Sequence, residues 1–249
     1  MIPTAVLALS ALLCSITPIT DEDAKSPATI LKKSDDEVSN YADQSFTTRM
    51  TLMAADGKVE KVIEMKIQQK GGDKRLVRFV KPGDVKGLSV LVEGGNTYVY
   101  LPQFNKTRRV AAHTSKQSFM GTDFTEQEMD IIRYDTEFDP TLLKKEGDQY
   151  VLKLVPKPGK EFAFAWIVMW IDSKDGLQTR MEYYNADGVK LKTQERGGTT
   201  TLNGVYTQTK VLMTDHIKKH STQIEILETR QNEGLKDDLF TVRNLEWGK

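Results

Sequence analysis

Residues 96–129 read NTYVYLPQFNKTRRVAAHTSKQSFMGTDFTEQEM and carry the most information about the architecture of this chain. The first part predicts a β-hairpin, because Tyr98 and Tyr100 alternate with other residues in the two-residue period of a strand. Pro102 ends that strand, since a proline has no amide hydrogen to donate to the ladder. After a polar turn, the chain returns in a second predicted strand at residues 107–111.

The second part of this stretch predicts an irregular link followed by a helix. The link, residues 113–121, carries the apolar side chains Phe119 and Met120. Thr125 and Glu128 have the spacing of a capping box, in which each side chain bonds the other residue's backbone amide at a helix start. A hairpin, an apolar loop and a capped helix are therefore expected to follow one another here.

On both sides of this stretch, apolar and polar residues alternate between short polar turns. Asp56-Gly57 and the turn at residues 185–188 supply the positive φ that tight hairpins need. Roughly ten or eleven strands at short spacing are predicted, which is typical of a barrel or a strongly curved antiparallel sheet. The strand at residues 162–172 is apolar on both faces, so both faces are expected to be covered.

Helices are predicted at only a few points. Ser26 followed by Pro27 is typical of an N-cap and a first helical residue, and opens the first helix. A second short helix is predicted at residues 140–145, and the tail at residues 235–247 predicts a helical turn that closes over a sheet edge. No repeat or composition break divides the chain, so residues 21–249 are predicted to form one domain.

The charge balance argues against one broad class of function. Lysine plus arginine and aspartate plus glutamate each number 35, so the formal net charge is zero. Nucleic-acid-binding proteins usually show a strong basic excess, so no nucleic-acid partner is expected. The single cysteine, Cys14, has no second cysteine with which to form an internal disulfide or a cysteine zinc cluster.

The N-terminus predicts an export signal at residues 1–20. This segment contains no charged side chain, and its apolar run, residues 5–16, has the length of a signal-peptide core but is too short to span a bilayer. Cleavage into a soluble exported protein is the favoured interpretation, although the usual basic residues before the core are missing. Acylation of Cys14 is the alternative, but Leu13 stands where a lipoprotein signal has a small residue.

The opening stretch also carries a family resemblance. Its tyrosine strand ends in Leu-Pro, and two further blocks follow, Arg108-Arg109 and Ser118-Phe119-Met120-Gly121-x-Asp123-Phe124. Together they resemble the hallmark of the outer-membrane lipoprotein-sorting protein family. That family is similar in fold to the periplasmic lipoprotein carrier LolA and its receptor LolB. The resemblance implies an α+β, mainly β fold: a strongly curved antiparallel sheet, an unclosed half-barrel, with helices covering its concave face.

The resemblance also implies a function. It implies a periplasmic carrier with no enzymatic activity and no cofactor, which binds the acyl chains of lipoproteins or phospholipids in a hydrophobic cavity. The carrier would shuttle this cargo between the inner and outer membranes. An inner-membrane exporter of the RND or ABC type would be its donor, and an outer-membrane protein its acceptor. We expect such a carrier to act as a monomer.

An unclosed half-barrel leaves an interior that helices or a ligand must fill. Strand alternation predicts which side chains line this interior, and a shift of one residue in register would invert the set. The predicted cavity lining consists of Met50, Leu52, Met65, Phe79, Tyr98, Tyr100, Trp166 and Trp170. The loop and helix start that close the cavity are predicted to include Phe119, Met120 and Phe124. Methionine suits such a surface because it is flexible and polarizable, although it fills ordinary cores as well.

The polar residues do not predict a catalytic or metal site. His216 and His220 are interpreted as exposed turn residues rather than a metal pair, because further ligands are missing. The acidic residues around Asp123 and Glu128 are interpreted as a solvated helix start, which the helix dipole favours.

The sequence leaves two pairs of alternatives, one for an arginine pair and one for the function. Arg108 and Arg109 are either candidates for contact with a lipid head group or simply solvated. The alternative to a carrier is an interaction module, in which an exposed sheet edge adds a strand from a partner protein and no lipid is involved.

Overall fold

A computed structural model describes residues 18–110 and 116–247. Most of the predicted signal peptide, including Cys14, and the part of the predicted link around His113 lie outside the described residues. Within those two ranges, no helix combines the length and the apolar character needed to cross a membrane.

Thirteen antiparallel strands of the described chain form one sheet. The strands are β1 (Asp43–Met53), β2 (Val59–Lys70), β3 (Lys74–Lys81), β4 (Ser89–Glu93), β5 (Asn96–Leu101), β6 (Lys106–Val110), β7 (Phe138–Glu146), β8 (Gln149–Pro156), β9 (Trp166–Asp172), β10 (Gln178–Tyr184), β11 (Lys190–Leu202), β12 (Val205–Asp215) and β13 (His220–Gln231). Their order is β6-β5-β4-β3-β2-β1-β13-β12-β11-β10-β9-β8-β7. The sheet therefore ends at β6 and β7 and does not close into a barrel. The predicted half-barrel is confirmed, with more strands than expected.

Two meanders build this sheet. β1 to β6 form one arm and β7 to β13 form the other, and within each arm every strand pairs with its neighbour in sequence. The arms join where β1 pairs with β13, so that Met50 lies opposite Ile224. Most links within an arm are tight turns, because a hairpin can join antiparallel strands, whereas residues 82–88 and 157–165 form longer links. The Asn203-Gly204 turn between β11 and β12 shows the backbone this requires, with φ of 51° and 82°.

Three short helices accompany the sheet in the described ranges, α1 (Pro27–Ser39), α2 (Glu126–Asp130) and α3 (Val242–Trp247). The predicted start of α1 is confirmed, because the Ser26 side chain accepts a hydrogen bond from the Thr29 amide. The predicted capping box of α2 is confirmed as well, with both reciprocal bonds between Thr125 and Glu128 present.

The helix predicted at residues 140–145 is wrong, because this segment belongs to β7. β7 is the last strand of the sheet, and an edge position tolerates Pro140 because an edge strand has a ladder on one side only. The predicted helical tail consists of a 3-10 turn at Asp237–Phe240 followed by α3. This C-terminal segment packs on the outer face of β3 to β5, and α3 also contacts the edge strand β6, as the predicted closure over an edge requires.

The two faces of the sheet are covered differently. The concave face, defined by Met50, Met65 and Ile224, is crossed by α1 and by residues 116–134, which include α2. We call residues 116–134 the roof segment. The outer face of β3 to β5 is covered by the C-terminal segment in a cluster formed by Leu76, Leu91, Tyr100, Phe240 and Leu245.

One glycine on β11 is required by both conformation and space. Gly198 has a φ of +66°, and a Cβ atom there would lie 2.7 Å from the Thr209 Oγ1 atom. We expect Gly198→Ala to lower the free energy of unfolding by about 1–2 kcal/mol, because alanine is strained at positive φ and Thr209 would have to move. Urea unfolding measures this change. The neighbouring Gly197 has open space for a Cβ, so an equal loss in Gly197→Ala would contradict the explanation.

Candidate functional site

An apolar cavity of about 300 Å³ lies between the concave face and the segments that cross it. Cross-strand register explains its floor, because Arg196, Val211, Ile224 and Met50 lie opposite one another on β11, β12, β13 and β1. Residues that lie opposite one another on neighbouring strands point to the same face of the sheet. The floor and walls also include Phe46, Thr48, Met65, Ile67, Gln69, Arg75, Val77, Val90, Val92 and Ile226.

The roof of this cavity comes from two places in the chain. Val38 at the end of α1 and Tyr41 cover one side, and the roof segment supplies Phe119, Met129 and Ile131. The Phe119 ring stacks on Phe79, which packs with Met50 and Met65 on the concave face, with 6.2 Å between ring centroids. Aromatic stacking and apolar contact thus bring the roof segment onto the sheet.

Polar contacts anchor the roof segment at its α2 end. The Arg75 guanidinium donates to the Met129 carbonyl oxygen at 2.7 Å and to the Asp130 carboxylate at 2.8 Å. On the other arm, the Lys192 ammonium pairs with Glu128 at 2.9 Å and donates to the Asp123 carbonyl oxygen at 2.8 Å. α2 is therefore tied to β3 on one arm and to β11 on the other.

A third anchor is the buried carboxylate of Asp123, whose residue is 2% exposed. One of its oxygens lies 2.7 Å from His220 Nδ1 and accepts a hydrogen bond from the Thr222 hydroxyl at 2.7 Å. The Asp123 amide donates back to that hydroxyl at 3.0 Å. The roof segment is thereby fixed to β13. The interpretation of these acidic residues as a solvated helix start is wrong for Asp123 and for the Glu128 side chain, which is 3% exposed.

A second cavity, of about 260 Å³, adjoins the first and is more polar. The two share a wall formed by Val38, Met129, Ile131, Arg196, Val211, Ile224 and Ile226. The polar lining of the second cavity includes Glu37, Gln44, Glu128, Tyr134, Gln194, Tyr206 and Gln208. Burial raises the pKa of the Tyr134 phenol, so this side chain stays neutral and can donate a hydrogen bond.

The structure brings some of the predicted site residues together. Met50, Met65 and Phe119 line the apolar cavity, and Phe124 lines the second cavity. The remaining predicted neighbours, Leu52, Phe79 and Met120, pack in the cluster around Met50 and Met65. The strand residues among them, Met50, Leu52, Met65 and Phe79, share the concave side, as strand alternation predicted.

Four predicted cavity residues lie elsewhere, and this is a correction of strand register. Tyr98 and Tyr100 pack with the C-terminal segment on the outer face. Trp166 and Trp170 also point outward, because their neighbours Ile167, Met169 and Ile171 are the ones in the core. Trp166 stacks on Tyr184, and the Arg180 guanidinium lies over the Trp170 ring. A one-residue difference in register separates the two arrangements.

The predicted arginine pair, His216 and His220 lie at the surface or against the roof segment. Arg108 and Arg109 are exposed on the edge strand β6, where Arg109 donates to the Asn96 side chain. His216 is exposed and bonded to Thr193, whereas His220 is half-buried against Asp123, so the prediction of an exposed turn residue fails for His220. Residues 18–110 and 116–247 contain no group of three or more acidic, histidine or cysteine residues arranged to hold a metal ion.

Sequence reasoning missed several residues of the cavity. Ile224 and Ile226 alternate on β13 and share their face with Thr222, a pattern that could have identified them. Arg196 and the α1 residue Val38 carried no comparable signal, because each depends on contacts between distant parts of the chain.

A protein-family model described as "Uncharacterized protein" matches residues 71–247, well over half of the chain. The chain belongs to this family. No curated protein matches the chain.

Solved structures of other proteins share the fold. A domain described as an outer membrane lipoprotein-sorting protein domain, from Vibrio parahaemolyticus, is 22% identical with a TM-score of 0.76, and the match covers 90% of this chain and 99% of that one. A DUF1329 family protein from Desulfovibrio piger is 25% identical with a TM-score of 0.77, covering 88% and 99%. A LolA superfamily protein from Nitrosomonas europaea is 19% identical with a TM-score of 0.73, covering 88% and 98%. The resemblance inferred from residues 96–129 is confirmed, and the fold is LolA-like.

Proposed function

We propose that this protein is a non-enzymatic periplasmic carrier, which holds the acyl chain of a lipid or lipoprotein in its apolar cavity while the cargo passes between the inner and outer membranes. The proposal rests on the cavity between Met50, Met65 and Ile224 on the concave face and Phe119 and Met129 of the roof segment. The LolA superfamily fold and the similarity to a lipoprotein-sorting domain support it.

The physical task of such a carrier is to keep an acyl chain out of water. Each methylene group exposed to water costs about 0.8 kcal/mol relative to an apolar site. The apolar cavity offers such a site, and the flexible side chains of Met50, Met65 and Met129 can adjust to chains of different shape. A volume of about 300 Å³ lies at the small end of typical ligand sites. Loading of a longer chain therefore requires the roof segment to move away from the sheet.

The pathway around the carrier is part of the proposal. Residues 1–20 act as the signal peptide, an RND-type or ABC-type exporter of the inner membrane hands over the cargo, and an outer-membrane acceptor receives it. The carrier works as a monomer, because one chain supplies both the floor and the roof of the cavity.

An interaction module that uses a sheet edge is less well supported. Both edges carry the side chains that hinder strand addition: β7 has Pro140 with the exposed Lys144 and Lys145, and β6 has the exposed Arg108 and Arg109. Charged side chains and proline on an edge strand disfavour pairing with another chain.

Two adjacent residues of β12 give a matched test. Val211 lines the cavity, whereas the next residue, Leu212, points to the outer face, and both are half-buried. We expect Val211→Trp to weaken binding of a fluorescent long-chain fatty acid by at least about 10-fold, because the indole fills space that the acyl chain needs. Leu212→Trp is expected to bind like the unmodified protein.

Native mass spectrometry of the mature protein, followed by organic extraction, identifies any co-purifying lipid or acylated peptide. Far-ultraviolet circular dichroism checks that both tryptophan variants fold. If the unmodified protein purifies without lipid and binds no added fatty acid, the carrier proposal is refuted and the edge-binding module becomes the better interpretation. Equal weakening by both substitutions would place the binding site outside this cavity.

A further inference from the structure

Arg196 occupies a particular position between the two cavities. It lies on β11 opposite Val211, so its side chain projects from the concave face, and it lines both the apolar and the polar cavity. Its neighbours across the sheet, Val211 and Ile224, are apolar. A guanidinium therefore stands at the point where an apolar compartment meets a polar one.

This arginine has few partners in the described part of the chain. With the Gln194 amide oriented to satisfy both of its atoms, the Gln194 oxygen accepts hydrogen bonds from Arg196 at 2.8 and 3.0 Å, and its nitrogen donates to Tyr183. No ion pair among residues 18–110 and 116–247 includes Arg196. Since a guanidinium has five N–H donors, most of its donor capacity remains for a ligand.

The second arginine of the apolar cavity shows the opposite situation. Arg75 is bound to the Asp130 carboxylate at 2.8 Å and to a backbone carbonyl, so its charge is already compensated. The carboxylates nearest to the polar cavity are also engaged: Glu128 is paired with Lys192 at 2.9 Å, and Glu37 has an interaction of its own. Among residues 18–110 and 116–247, therefore, no carboxylate is paired with Arg196.

We propose that Arg196 binds the anionic group, a carboxylate or a phosphate, of an amphiphile whose acyl chain lies in the apolar cavity. This inference rests on the proposed carrier function and specifies its ligand class. The planar fork of a guanidinium suits such groups because it can donate two parallel hydrogen bonds to a carboxylate or phosphate. The anionic group would lie on the side of the polar cavity, which Tyr134 and Gln208 also line. Gln208 already donates one hydrogen bond to the Gln178 carbonyl oxygen at 3.1 Å.

The test compares ligands that differ only in the polar group. Hexadecanoic acid and hexadecanol are titrated at pH 8 in competition with a fluorescent fatty-chain probe that carries no charge. We expect the unmodified protein to bind the acid about 10- to 100-fold more tightly than the alcohol, the range for hydrogen bonds to a charged group. Arg196→Gln is expected to bind both ligands equally, with the affinity of the alcohol unchanged.

Arg108→Gln is the matched control, because it removes the same charge from the exposed edge strand β6, away from both cavities. It should keep the preference for the acid. Loss of the preference in Arg108→Gln but not in Arg196→Gln would overturn the assignment and place the anionic group at the sheet edge.

The remaining outcomes separate this inference from the proposed function. If the protein binds acid and alcohol equally, and Arg196→Gln changes neither, the anion site is refuted while the carrier stands. If it binds neither ligand, the carrier itself fails. Inorganic phosphate that displaces the acid as effectively as hexadecyl phosphate would show a site for free anions, which also overturns a site built for an amphiphile.

Discussion

Replacement of Asp123 with alanine is expected to lower the free energy of unfolding by about 2–4 kcal/mol, because the buried hydrogen-bonding groups that face this carboxylate lose their partner. Asp123 is 2% exposed, and its carboxylate bonds His220 and Thr222 at 2.7 Å each. Alanine removes both bonds and leaves the imidazole and the hydroxyl of these two partners without their acceptor. Asp123→Asn should lose less, because its amide oxygen can still accept from Thr222.

Chemical unfolding in urea measures this loss, and hydrogen exchange shows where it acts. We expect faster exchange of amides in the roof segment, because Asp123 joins this segment to β13. Glu60→Gln is the control: this exposed carboxylate lies 3.4 Å from the other nitrogen of His220, so its removal should cost less than about 1 kcal/mol. A similarly small loss in Asp123→Ala would show that the roof segment is held by its apolar contacts alone.

The curved sheet and the starts of α1 and α2 could be predicted because they depend on local sequence. Ser26 and the Thr125–Glu128 pair fix their helix starts through bonds to residues within three positions. The hairpin from Tyr98 to Arg109 was likewise recognisable, because strand alternation and turn chemistry act over a few residues. Helix starts and hairpin turns could therefore be predicted from a single sequence.

The sequence did not predict to which face of the sheet the side chains of some strands point. β9 has Trp166, Val168 and Trp170 on one face and Ile167, Met169 and Ile171 on the other, so the period of two gives no preference for either face. Tyr100 faces outward because Phe240 and Leu245 of the distant C-terminal segment cover it. Both errors in the predicted cavity arise where the sheet is apolar on both sides.

The polar anchors of the site were hidden for a different reason. Asp123 and His220 are 97 residues apart in sequence, and their contact exists only because the roof segment crosses the concave face to β13. Arg196 and the roof segment likewise line one cavity only in the folded chain. Sequence patterns identify groups on one element, whereas these sites are assembled from elements of both arms.

A second buried carboxylate, Asp35 of α1, gives the chain a stability that depends on pH. Asp35 is 0% exposed, and it accepts hydrogen bonds from the Asp135 amide at 2.7 Å and from the Gln178 side chain at 3.2 Å. Burial raises the pKa of this carboxyl to about 7, despite the opposing effect of the Asp135 amide. In the unfolded chain its pKa is about 3.9.

The direction of this pH dependence follows from the number of protons that each state binds. Between about pH 4 and pH 7 the folded state holds a proton on Asp35 that the unfolded state has released, so stability falls as the pH rises through this range and levels off above it. At 1.36 kcal/mol for each pKa unit, the loss amounts to about 4 kcal/mol. Carboxylates whose pKa is lowered, such as Glu182 at about 2, titrate in the folded state below this window.

Asp35→Asn is expected to remove this pH dependence and to raise the free energy of unfolding at pH 8 by about 2–4 kcal/mol, because no charge then has to be buried. The new amide keeps an oxygen for the Asp135 amide, and its nitrogen can donate to the Gln178 side-chain oxygen, which has no partner in the described structure. Urea unfolding at pH 5 and pH 8 for both proteins isolates the effect, since the histidines contribute equally to each.

Asp36→Asn is the control, because the neighbouring Asp36 is paired with Lys32 and Arg133 and its pKa is lowered. That variant should lose a little stability at both pH values and keep the slope. A slope unchanged in Asp35→Asn would show that Asp35 is already ionised in the folded protein at pH 5.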